Sequence, residues 1–134
     1  MALETEGLAL DCERVQAGVA GLMARPALGF YLVAEVEAAP GLELAGALMV
    51  TFEWSDWRNG VIWWIQSVYV RPPRRRQGLY RHLYREVESR ARAAGDVRAL
   101  RLYVADDNAK AQTTYQALGM ADAGYRVFEA PLGG

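Results

Sequence analysis

From Asp11 to Arg25 the apolar residues Val15, Val19, Leu22 and Met23 fall on one face at a three-to-four-residue period. That spacing predicts an amphipathic helix, with Asp11 as its N-cap. Gly18 and Gly21 weaken it, and Arg25-Pro26 with Gly29 ends it. The period then falls to two. Phe30 to Glu37 and Glu43 to Trp54 read as strands, joined by the hairpin loop Ala38-Ala39-Pro40-Gly41-Leu42. The polar and aromatic segment Ser55-Asp56-Trp57-Arg58-Asn59-Gly60 ends in an Asn-Gly turn signal before a third strand, Val61 to Val70. The middle of the chain is therefore an antiparallel meander. Next, Leu79, Leu83, Val87 and Ala91 recur every four residues, which marks a helix. Glu86–Arg90 and Glu88–Arg92 form i,i+4 pairs on its outer face, and Gly95 stops it. Arg98 to Ala105 is a strand, and a crossover helix makes it a parallel neighbour of the third. Asn108 caps a short helix carrying Ala111, Tyr115 and Leu118, and Tyr125 to Ala130 is a last strand.

No repeat or linker divides the 134 residues, so residues 1–134 are expected to form one domain. An apolar content of 52% against 23% charged excludes a disordered chain. No apolar run approaches the ~18 residues of a membrane span. The N-terminal Glu4 and Glu6 stand where a signal peptide carries bases, and the single Cys12 excludes an internal disulfide or a cysteine metal cluster. A cytoplasmic setting is the expectation. Charge is uneven: between Arg71 and Arg101 ten arginines face three acids, while the rest has five bases and thirteen acids. A local anion site fits that pattern better than a surface for nucleic acid.

The informative stretch is Val68-Tyr69-Val70-Arg71-Pro72-Pro73-Arg74-Arg75-Arg76-Gln77-Gly78-Leu79-Tyr80. A strand ends, prolines turn the chain, and an arginine-rich loop with one glycine opens a helix. A helix N-terminus offers unpaired N–H groups and the positive end of its dipole, which suits a phosphate. Gly78 lets the backbone approach closely, and Arg74, Arg75 and Arg76 add bidentate donors. The plain alternative is a solvated basic loop. The Gly-Lys-Ser/Thr ending of a P-loop is absent.

Arg75-Arg76-Gln77-Gly78-Leu79-Tyr80 resembles the loop on which the GNAT superfamily of N-acetyltransferases holds the pyrophosphate of acetyl-CoA, of pattern Gln/Arg-x-x-Gly-x-Gly/Ala. Arg75 and Gly78 match, and Tyr80 stands in place of a small residue. Asn108, Ala111 and Tyr115, followed by Leu118-Gly119-Met120, resemble a second family feature, Asn-x-x-Ala-x-x-x-Tyr before a Leu-Gly ending. The resemblance implies an α/β domain with a mixed, mostly antiparallel sheet flanked by helices. Asp11 to Arg25 corresponds to the family's second helix. Ten residues precede Asp11, so the usual first strand and helix are expected to be missing or shortened. The sheet edge left behind motivates a homodimer.

The implied reaction is direct attack of a primary amine on the thioester of acetyl-CoA in a ternary complex, with no metal. By resemblance, Val68, Tyr69 and Val70 splay from the following strand and receive the pantetheine arm. The N–H of Val68 or Tyr69 is the oxyanion donor. Arg75, Arg76, Gln77, Gly78, Leu79 and Tyr80 hold the phosphates. Tyr115 is the candidate acid for the leaving thiolate, because a phenol of ordinary pKa near 10 is protonated at pH 7. Its alternative is a core aromatic. Asn108 serves as cap and as pantetheine contact. Gln66 stands where many relatives carry Glu, and an amide cannot take a proton, so Glu53 and Asp56 are the candidate bases. Trp54, Asp56 and Trp57 are candidates for an acceptor pocket that takes a cation, against hairpin packing or a dimer surface. Trp63 and Trp64 point to opposite sheet faces. His82 falls on the outer face of its helix, and Cys12 is given no chemistry. Two rival readings remain: a non-catalytic acyl-CoA-binding or partner-interaction module of the same fold, and a nucleic-acid module resting on the arginine run alone. Neither nucleic acid nor a membrane is expected as a partner.

Overall fold

Asp11 accepts a hydrogen bond from the Arg14 N–H at 3.1 Å and so starts helix α1, Cys12–Met23. The computed structural model describes residues 11–133; the expectation that the usual first strand and helix ahead of Asp11 are missing or shortened lies outside them. Helix α1 packs against strand β1, Gly29–Ala38. Strand β2, Gly41–Ser55, and strand β3, Gly60–Val70, complete the meander. Helix α2, Leu79–Ala94, crosses to strand β4, Val97–Arg101. The sheet order is β1-β2-β3-β4. The first three strands are antiparallel and β4 is parallel to β3.

Leu83, Val87 and Ala91 on one stripe of α2 are buried, and α2 touches all four strands. Beneath it lie Leu48 and Val50, almost fully enclosed. Tyr84 is buried on the same helix, and desolvation, with the Glu88 carboxylate adding to it, raises the phenol above its ordinary pKa. The outer face carries the expected Arg90–Glu86 and Arg92–Glu88 pairs at 2.9 and 3.7 Å. Trp63 turns inward against Phe30 and Phe52, with ring centroids 5.3 and 5.6 Å away. Its neighbour Trp64 lies on the opposite face, as alternation requires.

Gly46 fixes how closely α2 approaches the sheet. A Cβ there would sit 2.8 Å from the Tyr69 carbonyl oxygen and 3.2 Å from a Leu79 methyl. Gly46 thus lets the first turn of α2 seat against β2 and β3. We expect Gly46→Val to destabilise the fold by about 1–3 kcal/mol through overpacking. Thermal unfolding checks this.

Two elements differ from the sequence reading. The strand expected over 98–105 stops at Arg101. The β3–β4 ladder ends at Trp64↔Arg101, so residues 102–105 find no ladder partner. The strand expected over 125–130 is absent: residues 121–133 carry neither helix nor strand. By contrast, the last helix, α3, is where it was expected. It spans Ala109–Ala117, and Asn108 Oδ1 accepts from the Ala111 N–H at 3.1 Å. The chain divides into two compact units, 1–103 and 104–134, and α3 belongs to the second. No helix among the described residues is long and apolar enough to cross a membrane.

Candidate functional site

The site is built around the end of β3. On one edge β3 stays paired with β2 as far as Gly46↔Val70. On the other, pairing with β4 stops at Trp64↔Arg101. Residues 65–70 therefore present one backbone edge to no strand among the described residues. A bulge lies just beyond the point of departure. Between Leu48↔Val68 and Val50↔Ile65, β3 spends three residues against two on β2, which places the extra residue at Gln66 or Ser67. Bulges bend a strand and release backbone groups from the ladder. Sequence reasoning did not find this feature, although a signal existed: Gln66-Ser67 interrupts an otherwise apolar run. An extended ligand with amide groups fits such an edge as an added strand does.

Beyond Val70 the chain makes a single 3₁₀ turn, Pro72–Arg74, and then the loop predicted to hold phosphate. Its arginines divide into two sets. Arg71 pairs with Glu43 at 2.8 Å and also donates to the Leu44 carbonyl at 3.3 Å. Arg74 lies 4.0 Å from the same Glu43 carboxylate. These two anchor the loop to β2. Arg75 Nε donates to the Val70 carbonyl at 2.9 Å, tying the loop to the open strand end. Arg76 is exposed and makes no ion pair among the described residues.

The backbone turns sharply into α2. Arg76 has φ +63° and Gly78 has φ +76°, both left-handed. For Arg76 that region costs about 1–2 kcal/mol, and a strained residue of this kind is held by its surroundings at sites that bind or switch. Gly78 is the N-cap of α2 and no side chain caps the first turn. A Cβ added at Gly78 would meet nothing within 4 Å. An uncapped helix start, open space above its glycine and a free arginine beside it suit a phosphate group. Gln77 is turned back, its amide donating to the Pro73 carbonyl at 3.2 Å.

The candidate base Glu53 sits where β3 and β4 part. Its carboxylate accepts from Trp64 Nε1–H at 2.7 Å and lies 3.7 Å from the Arg101 guanidinium. Trp64 stacks on Tyr103, ring centroids 4.6 Å apart. Gln66 donates instead to the Thr51 hydroxyl, so its amide holds β3 to β2.

Asp56 is a turn residue. Its carboxylate accepts from the Trp57 N–H at 2.8 Å and its carbonyl from the Asn59 N–H at 3.2 Å. Trp54 and Trp57 are 62% and 93% exposed at this hairpin tip. The tip lies at the opposite end of β3 from the phosphate loop. Eight residue steps from Gly60 to Val68 amount to about 26 Å at ~3.3 Å each. The structure thus brings Val68, Tyr69, Val70 and Arg75 together with the start of α2, and sets Asp56 and Trp57 apart from them.

In the second unit, Tyr115 is half-buried on α3, seven residues after the capping Asn108. The cap uses Asn108 Oδ1. The helix closes through Leu118 and Gly119, whose φ of +96° matches the Leu-Gly ending read from the sequence. No group of three or more metal-ligating side chains occurs among the described residues.

A family model described as the acetyltransferase (GNAT) family matches residues 2–120. The chain belongs to that family. It is similar to a thialysine N-epsilon-acetyltransferase of Bos taurus, 35% identical over 99 residues. That match takes in 69% of this chain and 57% of the bovine protein, so the chain spans little more than half of that relative's length. Among solved structures it is similar to a possible acetyltransferase from Clostridium difficile 630, with a TM-score of 0.85 and 34% identity. That comparison covers 98% of this chain and 84% of the other. An aminoglycoside 6'-N-acetyltransferase from Acinetobacter haemolyticus shares the GNAT fold, with a TM-score of 0.70 at 16% identity over 92% of this chain and 83% of that one. The mixed sheet flanked by helices, expected from the two motifs, is thus the family's fold.

Proposed function

We propose that this GNAT chain transfers the acetyl group of acetyl-CoA to a primary amine by direct attack in a ternary complex. The observation that carries the reading is the junction of two features: an uncapped helix start beside Arg76, and a β3 edge open beyond Trp64, next to the Gln66–Ser67 bulge. The first matches a pyrophosphate and the second a pantetheine arm. Backbone N–H groups from Gly78 to Tyr80, with Arg75 and Arg76, hold the phosphates, and Val68 to Val70 align the arm. Asn108 adds a contact to it. No metal takes part in this reading.

The chemistry asked of the chain is modest. Orientation of two reactants supplies much of the acceleration. The Val68 or Tyr69 N–H donates to the thioester oxygen as negative charge grows there. As the C–N bond forms and the C–S bond breaks, Tyr115 donates its phenolic proton to the departing thiolate. Glu53 takes, through water, the proton that the acceptor's ammonium must lose to attack as the free amine. Asp56, Trp54 and Trp57 enter only for an acceptor long enough to run along β3. The reading includes a homodimer in a soluble, cytoplasmic setting, with no nucleic-acid or membrane partner.

Two experiments test it. Free-thiol release from acetyl-CoA should depend on an added primary amine, and Glu53→Gln should lower turnover about 100-fold with acetyl-CoA binding unchanged. Binding without turnover on any amine would favour the acyl-CoA-binding module instead. Arg76→Ala should weaken acetyl-CoA about tenfold, a loss of about 1.4 kcal/mol, and calorimetry should show the difference shrinking as salt rises.

A further inference from the structure

Glu53 is a long, flexible side chain on a sheet surface, and the chemistry asked of it needs the carboxylate in one place. The side chain is 45% exposed. A carboxylate that open keeps its rotamer freedom unless a neighbour holds it. Misplacement of a reacting group by about 1 Å is enough to slow a reaction strongly. A fixed donor on the same face is what such a base requires.

The register of the meander supplies one. Thr51 pairs directly with Trp64, and Glu53 with Ile62. Glu53 and Trp64 are therefore diagonal neighbours on one face, within reach of a long side chain. Trp64 Nε1–H donates to Glu53 Oε1 at 2.7 Å, the short end of the range for a bond to an ionised acceptor. Two other polar side chains on this face do not share the task. Gln66, next along β3, commits its amide to the Thr51 hydroxyl. Arg101 lies 3.7 Å from the carboxylate, too far for a hydrogen bond, so it contributes charge without direction.

Trp64 is itself clamped. Its ring stacks on Tyr103 with centroids 4.6 Å apart, and the Arg101 guanidinium lies 5.9 Å from its centroid. Arg101 is also its ladder partner on β4, at the last pair before the two strands part. An indole turns about only two side-chain torsions, and these contacts restrict both. We propose, resting on the assignment of Glu53 as the base, that Trp64 is a positioning residue for the reaction. Its indole N–H fixes the Glu53 carboxylate through Oε1, and the acceptor's proton is taken on Oε2. Trp64 acts through Glu53 and not on the acceptor or on acetyl-CoA.

Trp64→Phe keeps the ring and its stack and removes the N–H. With a simple alkylamine as acceptor it should lower kcat about tenfold, the usual worth of a hydrogen bond to a charged group. Calorimetry should show acetyl-CoA affinity unchanged. In the Glu53→Gln background the same substitution should lower kcat no further, because the base it aims is already gone. A weakly basic acceptor such as trifluoroethylamine is largely unprotonated at neutral pH and needs no base, so both single variants should acetylate it at close to the unaltered rate. Tyr103→Leu leaves the bond and removes the stack. It should give a smaller loss of the same pattern, and it decides the matter if Trp64→Phe fails to fold. Full turnover in Trp64→Phe beside a slowed Glu53→Gln would overturn the proposal. So would an equal loss in both backgrounds, or a loss that persists with the weakly basic amine, since a merely structural role gives those results. Full turnover of the alkylamine in Glu53→Gln would be a different failure: it removes the base assignment itself, and the role of Trp64 with it.

Discussion

Gly78→Glu is expected to weaken acetyl-CoA binding by about a hundredfold or more while leaving the fold in place. The added Cβ meets nothing within 4 Å, so packing is not the obstacle. The new carboxylate would stand at the uncapped start of α2, where the account places a pyrophosphate. At ~5 Å and an effective dielectric constant near 20, one charge pair contributes about 3 kcal/mol of repulsion. That corresponds to roughly a hundredfold or more in affinity. Gly78→Ala separates charge from strain, because it carries only the cost of a left-handed φ, about 1–2 kcal/mol. Its binding should stay within about tenfold of the unaltered chain. Calorimetry with acetyl-CoA on all three proteins reads the comparison. Equal affinity for Gly78→Glu and Gly78→Ala would remove the phosphate assignment.

Tyr115→Phe is expected to lower turnover by about 10²–10⁴, the usual worth of a positioned acid. The change deletes one oxygen and keeps the ring, so α3 and acetyl-CoA binding should survive. The loss belongs in kcat, because the proton is needed only as the thiolate leaves. A structural role would show the reverse pattern, with lowered stability and an unchanged rate per folded molecule. Steady-state kinetics on a confirmed amine, paired with thermal unfolding, separates the two. Full turnover in Tyr115→Phe would assign the proton to another group or to water.

Much of the fold was legible because its signals are local. The four-residue period from Leu79 to Ala91 and the glycine at 95 place α2, and Asn59-Gly60 places the hairpin. The two caps were equally plain, since Asp11 and Asn108 accept from the residue three positions on, Arg14 and Ala111. What could not be read were consequences of pairing. The division of the arginines into anchors and a free one follows from Glu43, 28 residues before Arg71, which no local pattern announces. The bulge at Gln66–Ser67 appears only when β2 and β3 are aligned. The same holds for residues 125–130, whose strand propensity is local but which pair with no strand among the described residues. For the candidate site, the loop at the start of α2 adjoins the open end of β3. The hairpin aromatics, grouped with them by residue type, lie a strand's length away.

The account rests on one claim, that the start of α2 and the open edge of β3 hold acetyl-CoA together. Backbone amide shifts of the full chain, followed by NMR as acetyl-CoA is added, test it most directly. The account predicts saturable shifts that are largest for Gly78, Leu79 and Tyr80, with a second group at Val68, Tyr69 and Val70. Saturation without shifts at either segment, or shifts centred on the hairpin around Trp57, would contradict it.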